Sequence, residues 1–263
     1  METNFFLFIL VGFIAQMIDG ALGMAYGVSC NTFLLGIGVP PAIASASVHS
    51  AEVFTTAISG LSHFSLGNVD RKLFLRLVIP GVLGGILGAY VLTLDKEGSI
   101  IKPFVSAYLL VMGCLILWRA ARKVHEYQQP RFLIPLGALG GFFDAIGGGG
   151  WGPIVTTTVI AQGHNPKLSI GSVNATEFFV TFAEAATFIA IMPALISQHW
   201  QIIVGLLIGG MIGAPLAAYA CKKTTDPPAD GPGRNSDHHP EHPDHLPFSG
   251  VIALEYSTTP III

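Results

Sequence analysis

The chain has 263 residues, of which 51% are hydrophobic and 11% charged, with mean hydropathy +0.63 and a formal net charge of −3. A soluble domain carries about 25% charged residues, so this composition excludes water as the main solvent and points to an all-α integral membrane protein. The acidic excess sits at the end of the chain, because residues 1–221 hold ten acidic and ten basic side chains while 224–263 hold six acidic ones and Arg234. No basic surface marks nucleic acid as a partner; the expected surroundings are a lipid bilayer.

The first residues, Met-Glu-Thr-Asn, lack the positive region of a cleavable signal peptide, so the first apolar run is expected to stay as a membrane segment. A bilayer core about 30 Å thick takes about 20 apolar residues per spanning helix. Apolar runs and their punctuation predict helices at 5–18, 22–39, 41–66, 72–94 and 101–119, then at 131–146, 150–162, 167–195 and 199–221. Between the two sets lie Arg119, Arg122, Lys123 and Arg131, the densest basic cluster, which the positive-inside bias places in the cytoplasm. The expected organisation is therefore a first transmembrane repeat over 1–118, a basic linker over 119–131 and a second repeat over 132–221. From 222 to 263 the composition turns to Pro, Asp and Gly and then to His238, His239, His242 and His245, which reads as a disordered cytoplasmic tail. Those histidines fit no metal-ligand template. Cys30, Cys114 and Cys221 stand alone, without the paired spacing of a zinc or redox site, and read as small packing residues. Neither a cofactor nor a resident metal is expected.

Self-similarity is the most informative feature. A shift of 125 positions, which carries Asp19 onto Asp144, aligns residues 12–90 with 137–215 without a gap. Gly23 falls on Gly148, Gly27 on Gly152, Pro41 on Pro166, Ser47 on Ser172, Glu52 on Glu177 and Thr56 on Thr181. Apolar matches could be accidents of composition, but Asp, Glu and Pro are too sparse here for that. The loop bearing Arg71, Lys72 and Arg76 aligns with Ser197–Gln201, which has no Lys or Arg, so the two loops are expected on opposite sides of the membrane. The expected fold is thus a polytopic helical bundle of two inverted-topology repeats with glycine-broken helices. The span at 101–119 would map onto 226–244, which is the Pro- and His-rich tail, so the second half is expected to lack its last helix through truncation or a changed reading frame.

Each half carries a glycine-rich break between short apolar segments: Asp19 to Gly27, with Gly23 inside it, and Asp144 to Pro153, with Gly148, Gly149, Gly150 and Gly152. Interrupted segments at matching positions of two halves point to a transporter binding site. Non-helical backbone at membrane depth is tolerated only inside protein or beside a wet cavity, and N–H groups at a helix start favour an anion. The alternative is close helix packing, which suits the evenly spaced Gly81, Gly84, Gly85, Gly88 and Gly209, Gly210, Gly213 better. Ser47, His49, Glu52 and Thr56, with Ser172, Asn174, Glu177 and Thr181 in the other half, share a broad helix face. A carboxylate at the bilayer centre costs at least about 2.5 kcal/mol. Glu52 and Glu177 are therefore read as proton or ion coupling groups, against the alternative of structural hydrogen bonding. Asp19 and Asp144 are divided between capping the next helix and holding a coupling ion, and Glu184, which has no counterpart in the repeat, stays open. Gly23, Gly27, Ser47, His49, Gly148, Gly149, Gly150, Gly152, Ser172 and Asn174 are the substrate-binding candidates. No motif of a hydrolase, nucleotide-binding protein or metalloprotease is found, so the chain is read as a carrier and not as an enzyme. A non-transporting membrane scaffold or accessory subunit and an anion channel are the competing readings.

At Asp144, the Gly-Gly-Gly-Gly-Trp-Gly-Pro run, the stretch from Pro166 to Val180 and its echo from Pro41 to Glu52, the sequence resembles the TauE/SafE sulfite exporter family. The resemblance covers about residues 5–221. It implies a multi-pass inner-membrane carrier, an exporter of small sulfur-containing anions such as sulfite or sulfoacetate, driven by an ion gradient, with a homo-oligomer among its expected assemblies. The family's signature positions fall on Asp19, Gly23, Gly27, Ser47, His49 and Glu52 in one half and on Asp144, Gly148, Gly152, Ser172, Asn174 and Glu177 in the other.

Overall fold

The computed structural model describes residues 2–22, 24–65, 67–95, 100–120 and 131–225. Every regular element among them is a helix. The first half holds α1 (Glu2–Leu22), α2 (Tyr26–Gly36), α3 (Pro41–Ser65), α4 (Arg71–Thr93) and α5 (Ile101–Ala120). The second holds α6 (Leu133–Gly147), a π-helical turn (Gly152–Thr156) running straight into α7 (Thr157–Ala161), then α8 (Pro166–Ile191), α9 (Pro193–Gln198) and α10 (Trp200–Thr225).

Local chemistry sets several of these boundaries. Asp70 caps α4 by accepting from the N–H groups of Lys72 at 2.8 Å and Leu73 at 3.2 Å. Asn165 does the same for α8 through Leu168 N–H at 3.2 Å. Gly38 at φ +93 carries the chain out of α2, and Pro193 ends α8 earlier than the run to 195 suggested. α1 continues past the expected stop at 18 and takes Asp19 into its last turn. α10 continues through Lys222 and Lys223 to Thr225, beyond the boundary expected at 221. Gly23, linker residues 121–130 and tail residues 226–263 lie outside the described part of the chain.

Packing follows the repeat. The main helix pairs are α1 with α10, α4 with α6 and α3 with α8, and each joins one helix from each half. Small residues make these approaches close: Gly12 lies on the backbone of Leu206, Gly209 on that of Ile9, Gly84 on that of Ala138 and Gly88 on that of Phe142. Helices packing in lipid gain no hydrophobic drive from leaving it, so such close backbone contact is their means of holding on. The counterparts α3 and α8 also pack on each other. Thr56 Oγ1 there lies 3.3 Å from Thr181 Oγ1, its counterpart 125 residues on. The outward sides are apolar, as with Phe6, Leu10, Ile14 and Ile18 along one face of α1 and Phe104, Leu110 and Leu117 on α5. Segments Arg71–Thr93 and Ile101–Trp118 are long and apolar enough to cross a bilayer, and Phe5–Asp19, Leu133–Gly147, Gly152–Ala161 and Trp200–Ala214 are shorter apolar helices.

Candidate functional site

The two aspartates occupy equivalent places. Asp19 Oδ1 accepts from the N–H groups of Ala25 at 2.7 Å and Tyr26 at 3.1 Å, and so caps the start of α2. Asp144 Oδ1 accepts from Gly150 at 2.5 Å and Trp151 at 2.8 Å, and so caps the turn leading into α7. In both halves the acceptor therefore serves the residues six and seven places ahead. An anionic side chain suits a helix start, where unpaired N–H groups and the positive end of the dipole meet. The consequence corrects one expectation: these N–H groups are engaged by the protein's own carboxylates rather than left open.

Between α6 and the π turn, Gly148 at φ +66 and Gly149 at φ +140 hold conformations that side-chain-bearing residues avoid. The bend brings the second-half break against the first. Gly27 is so close to it that an added Cβ would stand 2.7 Å from Gly149 Cα and 2.9 Å from both Gly148 O and Glu52 Oε1. The Asn31 amide of α2 donates to Gly147 O across the same contact. Gly152 lies beside Met24 and begins the π turn. Trp151, fully buried, fills the space behind the turn, with its indole N–H donating to Val173 O at 3.1 Å.

Beside this junction sits a buried polar cluster. His49 is fully buried on α3, with Nδ1 3.2 Å from Glu52 Oε2 and 3.1 Å from Glu184 Oε2. Its Nε2 lies 3.2 Å from the backbone oxygen of Asp144. A carbonyl can only accept, so Nε2 carries the hydrogen and Nδ1 faces the two glutamates. Glu184, also fully buried, rests on α4 where Gly85 has no side chain, since a Cβ there would meet Glu184 Oε1 at 2.5 Å. Ser45 donates to Ala145 O at 2.5 Å and ties α3 to α6 beside the cluster.

The structure thus brings together Asp19, Gly27, His49, Glu52, Asp144, Gly148, Gly149 and Gly150. Ser47 is buried on α3, and half-buried Glu177 lies one turn before Thr181, whose hydroxyl donates to its carbonyl at 2.9 Å. Two candidates point elsewhere. Ser172 Oγ accepts from Asp70 N–H at 2.8 Å, and Asn174 Nδ2 lies 3.4 Å from His63 Nε2. Both serve the α3–α4 end of the bundle because the counterpart positions in the other half, Ser47 and His49, meet different neighbours. Glu184 and Asn31 belong to the cluster although neither was among the site candidates. The signal for Glu184 was its place seven residues after Glu177 on the same helix face, and for Asn31 it was a polar amide inside an apolar run.

A separate cavity of about 480 Å³ opens at the start of α4 and is lined by Asp70, Arg71, Lys72, Arg76 and His164 with two leucines. His164 Nε2 lies 3.5 Å from Asp70 Oδ2. Partial burial works to raise the Asp70 carboxyl, but the N–H groups of Leu73 and Lys72 and the His164 ring together hold it below its ordinary value of 3.8.

The family model described as sulfite exporter TauE/SafE matches residues 8–228. "Probable membrane transporter protein YtnM" of Bacillus subtilis (strain 168) is 42% identical over 225 residues, which cover 82% of this chain and 74% of that relative. "Probable membrane transporter protein YunE" of the same organism is 24% identical over 253 residues, covering 84% of this chain and 89% of the relative. A "Probable membrane transporter protein" of Haemophilus influenzae is 27% identical over 191 residues, covering 65% and 69%. No solved structure matches. A helical bundle with apolar outer faces, matched by the family over most of its length, places this chain in the sulfite exporter TauE/SafE family of membrane transporters.

Proposed function

We propose that this transporter is a secondary carrier that exports small sulfur-containing anions, such as sulfite or sulfonates like sulfoacetate, across the inner membrane at the expense of an ion gradient. The observation that carries the reading is the meeting of two aspartate-capped breaks, one from each half, at Gly27 and Gly149. Irregular backbone at membrane depth is tolerated inside protein or beside a wet cavity, and such breaks at matching positions of two halves mark transporter binding sites. The two halves run in opposite senses, with the loop of Arg71, Lys72 and Arg76, the linker and the tail in the cytoplasm. Rocking one half against the other would part the Gly27–Gly149 contact and admit an anion to the helix starts. Protonation is the coupling step: a proton on Glu52 or Glu177 lowers the negative charge that an entering anion meets, and a proton on Asp19 or Asp144 loosens a cap and releases two N–H donors.

The test is flux of labelled sulfite and sulfoacetate in proteoliposomes, with and without a pH gradient. Saturable, gradient-sensitive flux that loses its pH dependence in Glu177→Gln supports the reading. Absence of flux for both anions overturns it, and unsaturable conductance assigns a channel instead.

A further inference from the structure

His49, Asp144 and Glu184 come from three different helices, yet each offers a ligand atom, and these atoms lie within 4.8 Å of one another. All three residues are essentially inaccessible to solvent, at 0%, 1% and 0% exposure. Asp144 Oδ2 and Glu184 Oε1 have no hydrogen-bond partner, while His49 Nδ1 and Glu184 Oε2 have only each other and Glu52 as neighbours, at 3.1 and 3.2 Å. Buried polar atoms are nearly always satisfied, and an unpaired buried carboxylate is among the costliest groups a protein can hold. Three buried carboxylates around a single imidazole carry more negative charge than that ring can offset, which points to a further cation among them.

The outer contacts of the three residues match those of metal ligands. A ligating histidine characteristically donates its second ring N–H to a carbonyl or carboxylate, which fixes the tautomer and aims the other nitrogen at the metal. His49 Nε2 is placed to do this with Asp144 O at 3.2 Å. Asp144 is likewise anchored through Oδ1 by the N–H groups of Gly150 and Trp151, which leaves Oδ2 free to ligate. Glu184 Oε2 lies 3.1 Å from His49 Nδ1. Two ligands of a first-row metal at about 2.1 Å stand roughly 3.4 Å apart, so this pair is already at ligand spacing. The third ligand, within 4.8 Å of the others, has to close by up to about 1.4 Å. One neutral imidazole with the Asp144, Glu184 and adjacent Glu52 carboxylates sums to three negative charges, of which a divalent cation balances two and a proton on Glu52 the third. A nitrogen and oxygen donor set selects zinc, manganese, cobalt or nickel over calcium, which prefers oxygen alone.

We propose that His49, Asp144 and Glu184 form a buried site for one divalent transition-metal cation that ties α3, α6 and α8 together beside the glycine junction. No sequence spacing reveals it, because its ligands are spread over three helices. The site shares Asp144 with the carrier reading, but it is measured by metal content and not by flux, so the failure of one is distinguishable from the failure of the other.

The full chain, purified in detergent with a histidine-free tag, is stripped with a chelator. It is then exposed to zinc or manganese alone, washed briefly with chelator and assayed by elemental mass spectrometry. About one equivalent per chain is expected to survive the wash. It should fall at least tenfold in Glu184→Gln and His49→Gln and persist when His238, His239, His242 and His245 are all replaced by alanine. X-ray absorption of the zinc form, which requires no variant to fold, should show one imidazole with oxygen ligands. No retained metal, retention that vanishes with the tail histidines, or a shell of several imidazoles would overturn the proposal and leave protons to neutralise the cluster.

Discussion

The contact between the two breaks makes Gly27→Ala an informative change. Gly27 lies in the first turn of α2, where Ala is favoured over Gly by about 1 kcal/mol. Against that gain, the new methyl would stand 2.7 Å from Gly149 Cα and 2.9 Å from Gly148 O, and both are backbone atoms that cannot rotate aside. Retreat of the second break is also blocked, because Asp144 and Asn31 hold it at both ends. Overpacking of this kind costs about 1–3 kcal/mol, so the net loss should be up to about 2 kcal/mol. Gly113→Ala in α5 is the matched control, since nothing lies within 4 Å of its Cβ and only the helix gain applies. Thermal unfolding of the purified protein in one detergent, followed by size-exclusion chromatography, should rank Gly113→Ala at or above the natural chain and Gly27→Ala below it. If Gly27→Ala melts alongside Gly113→Ala, the two breaks do not touch.

Asp144→Ala removes the acceptor for two N–H groups at 2.5 and 2.8 Å and should cost about 1–2 kcal/mol, as lost helix caps do, whereas Asp144→Asn keeps an oxygen acceptor and should lose much less in the same melting assay. Asp70 has a depressed carboxyl, so its stabilisation is present above the ordinary value of 3.8 and is lost as pH falls through the lower folded value. Asp70→Ala should therefore melt below the natural chain at neutral pH, with the gap closing in acid; a gap constant with pH would place the effect elsewhere. Thr56→Cys with Thr181→Cys replaces two hydroxyls 3.3 Å apart and should give an oxidant-induced disulfide. Under the carrier reading that bond stops flux and a reductant restores it; undiminished flux in the fully oxidised protein would show that α3 and α8 do not move apart.

The sequence and the structure agree most where a signal is local. Helix positions follow from apolar runs broken by Gly and Pro, and capping is one of the two readings the sequence offers for Asp19 and Asp144, because each precedes a glycine break and a helix start. The 125-residue shift pairs Thr56 with Thr181 only as counterparts, and the structure brings their hydroxyls to 3.3 Å. What the sequence left unread depends on which helices become neighbours. Ser172 and Asn174 were placed with Ser47 and His49 by counterpart logic, yet they reach Asp70 and His63 because the α3–α4 turn, and not a glycine break, faces them. Glu184 stays open in the sequence because the shift carries it onto Ser59, which gives no hint of an acid.

That inequality between matched halves bears on how the molecule works. Both halves repeat the backbone device, an aspartate capping a helix beyond a break, but among the described residues one place gathers an imidazole and several carboxylates. It lies where His49 and Glu52 of the first half meet Asp144 and Glu184 of the second. In the second half the His49 counterpart is Asn174, whose neutral amide faces His63. A pair of identical units would have two equal polar centres and spread any charge between them. Here the side chains break the equality between the halves and gather His49, Glu52, Asp144 and Glu184 beside the Gly27–Gly149 junction. Under the carrier reading, opening that contact would change the surroundings of one charged cluster, which is what coupling a conformational change to an ion requires.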